Sequence, residues 1–176
     1  SSVAVYPDPF RLNNELDTAD IPQIPPTSKT TPLYGLFKLL GEQVVGNNTR
    51  SHLILRPTAI IGRTSRPNNI MKILKGGPCQ LNLSGDSSYN LVSMYQVRGF
   101  IESALATDIK GVFNIGAPDN TTLIEIAREV GSQPEFKDGY THNVHKVDTQ
   151  KIRSVSSGFN KSSIDLAQEL AKELRG

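Results

Sequence analysis

Tyr34 and Lys38 stand four residues apart in Tyr34-Gly35-Leu36-Phe37-Lys38. On a helix that spacing puts both side chains on one face. A free phenol titrates near ~10, and an ammonium group beside it favours the phenolate. A phenol so placed can give and take a proton near neutral pH. The spacing alone is common among helices, so its meaning depends on the elements around it.

The helix that must carry the pair opens at Pro32, since proline suits a first turn. Leu33, Leu36, Phe37, Leu40 and Val44 form its expected apolar stripe, and Gly46 is its expected stop. Tyr34 and Lys38 then lie on an adjoining face, as residues at a cleft edge would. Glu42 extends that face and is expected to pair with Lys38. Residues 1–6 are small and β-branched and read as the end of a strand, broken by Pro7 and Pro9. Residues 7–32, with four further prolines and several acids, predict one long irregular connection: functional, disordered, or simply solvated.

Beyond the helix, His52–Pro57 reads as a buried strand continued by Thr58–Gly62. Ligands of such sheets collect at the carboxyl ends of strands, so residues 57–63 would border the cleft. Further helices are predicted over 68–75, 95–107, 122–131 and 162–174, with strands at 80–83 and 111–116. In the second of these helices Val97, Phe100, Ile101, Ala104 and Leu105 are expected to face inward. Residues 132–160 read as loop with one short helix at 148–152. The alternation of strand and helix places the chain in the α/β class.

Composition removes several functions. The chain has 176 residues, enough for one ordinary domain or two small ones. Lys and Arg number 19 against 17 acids and form no basic block, which argues against nucleic acid. No apolar run approaches the ~20 residues of a membrane span. The single cysteine, Cys79, excludes an internal disulfide framework and fits a reducing, cytoplasmic setting. His52, His142 and His145 show no metal-ligand spacing with carboxylates or Cys79, so no metal site is expected.

Seven segments carry more information by their order than singly. Ser1-Ser2-Val3-Ala4-Val5-Tyr6 comes first, then Tyr34-x-x-x-Lys38 with Glu42, then Leu55-Arg56-Pro57 with Gly62. Ile73-Leu74-Lys75-Gly76, Gly85-Asp86, Val112-Phe113-Asn114-Ile115-Gly116 and Asp148-x-x-Lys151 follow. This series resembles the extended short-chain dehydrogenase/reductase family, which includes NAD(P)-dependent nucleotide-sugar epimerases, dehydratases and 4-ketoreductases. The resemblance implies the C-terminal portion of a Rossmann-like parallel sheet plus a small mixed α/β substrate-binding lobe. Residues 1–62 and 93–117 would belong to the NAD(P)-binding domain, and residues 63–92 and 118–176 to the lobe. It further implies Tyr34 as general acid/base, Lys38 as its modulator and a contact to the nicotinamide ribose, and Ser2 as the hydroxyl that orients the substrate oxygen. Pro57 and Thr58 would line the nicotinamide side, with NAD or NADP as cofactor. The implied reaction is 4-epimerisation or 4-keto reduction of a nucleotide-activated sugar. A binding protein with an unused site on the same scaffold, or a reductase of a non-sugar ketone, stays open beside it.

The sequence departs from that pattern in places. The Gly-x-x-Gly-x-x-Gly phosphate fingerprint and its downstream acid are missing. In the family they precede the serine, so the chain reads as part of a longer protein. About two parallel strands would be left, with an open edge that invites association, either with the missing N-terminal part or as a homodimer. Ala59 stands where many members carry asparagine, Tyr89 where many carry an arginine that grips the nucleotide, and Met94-Tyr95-Gln96 where Val-x-Asp is usual. Asn68 and Asn69 serve either a substrate diphosphate or a helix N-cap. Arg63 and Arg66 either meet phosphate or are solvated.

Overall fold

Three of the helices start on sequences that close a reciprocal cap: Ser93 with Gln96, Thr122 with Glu125 and Ser162 with Asp165 each satisfy one another's backbone N–H groups. The computed structural model describes residues 1–6, 8–17, 32–137 and 139–176. A 3-10 turn, Val3–Val5, leads to α1 (Pro32–Asn48), β1 (Leu53–Pro57), β2 (Ala59–Ile61) and α2 (Asn69–Lys75). Next come β3 (Gln80–Leu81), β4 (Ser88–Tyr89), β5 (Leu91–Ser93), α3 (Met94–Thr107) and β6 (Gly111–Ile115). The chain closes with β7 (Thr121–Thr122), α4 (Leu123–Glu129), β8 (Glu135–Phe136), α5 (Gln150–Val155), a 3-10 turn at Ser157–Phe159 and α6 (Ser163–Arg175). It is an α/β fold with parallel strands, as the resemblance implies.

β1 and β6 run parallel, Leu53 opposite Gly111 through Pro57 opposite Ile115. At Thr58 the strand changes partner. Thr58 N–H still donates to Ile115 O (2.9 Å), but Ala59 N–H donates to Asn90 O (3.0 Å), and β2 then runs parallel to β5. Buried Asn90 fixes the crossing. Its Oδ1 accepts from Thr58 Oγ1 (3.0 Å) and Ala117 N–H (2.9 Å), while its Nδ2 donates to the Ala117 and Asp119 carbonyls. A Cβ on Gly116 would overlap Asn90 Oδ1, so only glycine admits this approach. β3 pairs with β8 in parallel and β4 with β7 antiparallel.

Apolar side chains segregate about this crossing. Ile61, Ile73, Leu74, Leu91, Leu123, Ile126, Leu166 and Leu170 form one core between α2, α4 and α6. Phe100, Phe113, Phe159, Ile115 and Ile152 form another, where α3 and α5 cover the β1–β6 pair; Phe100 meets Phe113 and Phe159 edge-on at 5.3 and 5.9 Å. Val3, Val5, Tyr6 and Val147 form a third, smaller cluster with Leu39 of α1 against it.

Several sequence expectations change. Residues 1–6 form no strand: Ser2 Oγ accepts from Ala4 N–H (3.3 Å) and Tyr6 N–H returns to Val3 O, so a local cap replaces sheet pairing. Of the long connection before α1, residues 8–17 and Pro32 fall within the described part, and there Asn13 bridges to Val147. Helix α1 passes Gly46 and ends at Asn48, because Asn48 and Thr49 side chains cap the Val44 and Val45 carbonyls. Its apolar stripe is not covered: Leu33, Phe37, Leu40 and Val44 are all more than half exposed, Phe37 at 67%. In α3, Phe100 and Ala104 face the sheet, but Ile101 and Leu105 point outward, Leu105 being 78% exposed. Strands β4, β7 and β8 have two residues each, too short to show a period in the sequence.

Arg175 fastens the last helix. Its guanidinium donates to the carbonyls of Leu74 (2.9 Å), Ile73 (3.1 Å) and Val130 (2.6 Å), at the ends of α2 and α4. Arg175→Ala is expected to cost about 1.5–3 kcal/mol in urea unfolding. Arg175→Lys should recover only part of it, since one ammonium cannot reach three divergent carbonyls.

Candidate active site

Helix α1 presents Tyr34 and Lys38 on one face, with Lys38 Nζ 5.3 Å from the centre of the Tyr34 ring. The ammonium therefore sits over the π-face, where the ring quadrupole attracts it. Tyr34 is 47% exposed, and among the described residues Lys38 forms no ion pair. Ser2 arrives from the Val3–Val5 turn, which seats directly on the first turns of α1. Buried Gly35 lies so near Ala4 that a Cβ there would overlap the Ala4 carbonyl oxygen and come 3.1 Å from its carbon. The three residues singled out for proton transfer and substrate orientation thus belong to two segments in backbone contact.

Glu42 corrects one expectation. It pairs with Arg56 of β1, not with Lys38. Arg56 Nε meets Oε1 at 3.0 Å and Nη2 meets Oε2 at 2.7 Å, a bidentate pair with each side chain 7% exposed. Arg56 Nη1 also donates to Tyr6 Oη (2.9 Å), and Tyr6 in turn donates to Asn114 Oδ1 of β6 (2.7 Å). Asn114 Nδ2 donates to Asp148 O (3.1 Å), and its backbone N–H donates to Glu15 Oε1 (2.9 Å). Burial alone would push the Glu42 carboxyl up. The hydrogen bonds and charge of Arg56 outweigh it and hold the carboxyl below its ordinary range. Burial likewise opposes the charge on Arg56, and Glu42 and Tyr6 overcome it, keeping the guanidinium firmly protonated. Tyr6 is kept neutral by burial, against the pull of Arg56.

The remaining expected site residues lie elsewhere in the fold. Pro57 is half-buried at the carboxyl end of β1, and the Thr58 hydroxyl turns inward to Asn90 and Ile115 O. Asn68 is the N-cap of α2: its Oδ1 accepts from Met71 N–H (2.9 Å) and its Nδ2 reaches Arg66 O (3.2 Å). Asn69 opens that helix. Arg63 lies 3.7 Å from Glu173. Tyr89 is half-buried on β4 and stacks against His142 at 4.9 Å and 35°. Burial raises the phenol of Tyr89 and lowers the imidazole of His142, so both stay neutral. A cavity of about 490 Å3 opens between α3 and α6 at the carboxyl ends of β2 and β5, bordered by Ile61, Ser93, Gln96, Phe159 and Leu166 and by none of the expected site residues. Among the described residues no cluster of His, Cys, Asp or Glu is placed to hold a metal ion, and no helix is long and apolar enough to cross a membrane.

Asn114 and Gly35 were not singled out by residue type. Asn114 did carry a signal, a polar residue in the middle of an otherwise apolar strand. Gly35 carried none, since only the approach of Ala4 gives it meaning.

No protein-family model matches the chain, and no curated protein sequence is significantly similar to it. Solved structures do match. UDP-N-acetylglucosamine 4-epimerase from Bacillus cereus superposes with a TM-score of 0.73 at 19% identity, over 100% of this chain and 65% of its own. MoeE5 in complex with UDP-glucuronic acid and NAD gives 0.72 at 19%, over 99% and 62%. UDP-glucuronic acid 4-epimerase from Bacillus cereus, in complex with UDP-glucuronic acid and NAD, gives 0.70 at 20%, over 99% and 59%. The chain shares their fold and spans about three fifths of their length.

Arg56→Met leaves a buried, unpaired Glu42 and is expected to cost about 3–5 kcal/mol in urea unfolding at neutral pH, whereas Arg56→Met with Glu42→Leu should cost far less. Glu42 titrates lower in the folded than in the unfolded chain. Its contribution is therefore complete above the unfolded value, near ~4.3, and is lost as pH falls through the folded one. Unfolding of the double variant should show a shallower acid dependence than that of the parent.

Proposed function

We propose that this chain is the part of an NAD(P)-dependent enzyme that carries the proton-transfer residues for 4-epimerisation or 4-keto reduction of a nucleotide-activated sugar. The observation that carries the reading is the juxtaposition of the Tyr34–Lys38 face with the Ser2 turn, in a fold shared with UDP-sugar 4-epimerases. In this reading the chain is the C-terminal portion of a longer, cytoplasmic protein, divided between cofactor domain and lobe as the sequence resemblance implies.

Hydride removal from a secondary alcohol leaves a protonated carbonyl unless the hydroxyl proton departs too, and hydride addition to a ketone leaves an alkoxide unless a proton arrives. Tyr34 takes that proton and returns it in the reverse direction. Lys38 is its modulator, its ammonium held over the Tyr34 ring. Ser2 holds the reacting oxygen in line with the phenol. The residues present fit a nicotinamide ribose: a half-exposed phenol lies beside an ammonium with no ion-pair partner among the described residues. The cofactor, NAD or NADP, supplies the hydride acceptor or donor when bound. Pro57 lies on its nicotinamide side. Thr58 would do so through its backbone alone, because its hydroxyl is committed to Asn90 and its methyl faces Gly116. On the substrate side, Asn69 and Tyr89 have the freer polar atoms, whereas both ends of the Asn68 amide are occupied.

Association belongs to the same reading. Leu33, Phe37, Leu40 and Val44 recur at spacings of four, three and four along α1 and are exposed together, and β1 pairs with β6 alone among the described residues. Such a stripe is the kind of surface that a second copy or the remainder of the protein covers.

In the full-length protein Tyr34→Phe is expected to lower turnover of a UDP-sugar at least about 10²-fold with an unchanged thermal melt; unchanged turnover would end the assignment. Mixing the enzyme with NADPH and a 4-keto nucleotide sugar separates the two chemistries, because only a reductase consumes the NADPH absorbance. Residues 1–176 alone should associate or melt without cooperativity, and a stable monomer by light scattering would rule out the association.

A further inference from the structure

Glycine destabilises a helix interior relative to alanine, so each glycine in α1 calls for a reason. At Gly41 a Cβ would meet nothing within 4 Å, and at Gly46 only the His52 ring at 3.9 Å. Gly35 differs. It is not among the glycines with positive φ, so its backbone conformation is open to any residue. What excludes a side chain is the Ala4 carbonyl, which a Cβ would overlap. That obstacle is backbone, and no rotamer change removes it.

The opposing surface cannot retreat. Val3, Val5 and Tyr6 are buried, and the Tyr6 hydroxyl is held between Arg56 Nη1 (2.9 Å) and Asn114 Oδ1 (2.7 Å). Ser2 Oγ caps Ala4 N–H, so Ser2 and Ala4 move as one piece. On the other side of the joint, Gly35 is the residue next to Tyr34. We propose that Gly35, backed by Tyr6, is a positioning residue: the missing side chain sets how closely the Ser2 hydroxyl approaches the Tyr34 phenol. This rests on the catalytic reading of Ser2 and Tyr34 and adds to it the element that fixes their separation. A methyl group at position 35 must open the joint by about 1 Å in a packed interior, and a misplacement of that size costs about 10²-fold in rate.

The test uses the full-length enzyme and a UDP-sugar substrate. Gly35→Ala should lower kcat about 10²-fold while KM stays within a factor of about two. Gly41→Ala, in the same helix, should keep kcat and raise the melting temperature by about 2 °C, a gain that Gly35→Ala should fail to show. A double-mutant cycle reads the mechanism. With Ser2→Ala already present, Gly35→Ala should cost little more, because the hydroxyl it displaces is gone. If Gly35→Ala does not fold, Tyr6→Phe releases the same turn from behind and should show the same kcat loss and the same non-additivity with Ser2→Ala. Full kcat with a melting gain equal to that of Gly41→Ala, or strictly additive losses in the cycle, overturns the proposal. The Tyr34→Phe control keeps the two ideas apart: retained turnover there sinks the catalytic reading, whereas an inactive Tyr34→Phe beside an active Gly35→Ala sinks only the positioning role.

Discussion

Two charges withdrawn from water hold together segments that are far apart in the chain. Glu42 comes from α1, Arg56 from β1, Tyr6 from the opening turn and Asn114 from β6, and every hydrogen bond among them crosses between elements. A buried ion pair of this kind contributes little net stability compared with apolar packing of equal volume. Its strength lies in intolerance: neither charge can be left alone, so the helix, the strand and the turn admit one relative placement. The surface of α1 that carries Tyr34 and Lys38 inherits its orientation from this pair, one turn further along the same helix.

The second organising feature is the exchange of strand partners at Thr58. A strand that belonged wholly to β6 would leave the core around α2, α4 and α6 without a sheet to pack on. A strand that belonged wholly to β5 would leave the aromatic core of Phe100, Phe113 and Phe159 uncovered. Asn90 and Gly116 make the exchange possible, one by satisfying the backbone and hydroxyl groups freed there and the other by having no side chain to obstruct it.

Much of this was legible in the chain itself. Apolar strands bounded by proline and glycine, and the helices read over 68–75, 122–131 and 162–174, announced the α/β order, because each is a local signal. The Tyr34–Lys38 geometry was legible for the same reason, being set by helical spacing. The partner of Glu42 was not. Local spacing nominates Lys38, and the competing Arg56 is chosen by tertiary packing, which offers it two aligned hydrogen bonds away from water. Ile101 and Leu105 were misplaced because α3 covers the sheet through a narrower face than its composition suggests. The two-residue strands β4, β7 and β8 exist only through their tertiary partners, β4 with β7 and β8 with β3.

The partner exchange also has a mechanical meaning. The chain passes from one core to the other three times within a few residues of the same level: at Thr58, between Leu91 and Val92, and at Gly116. A single crossing can act as a hinge. Three parallel crossings cross-linked through one asparagine resist bending in every direction across their plane. The two cores are therefore braced against each other at one level rather than joined through a single flexible passage.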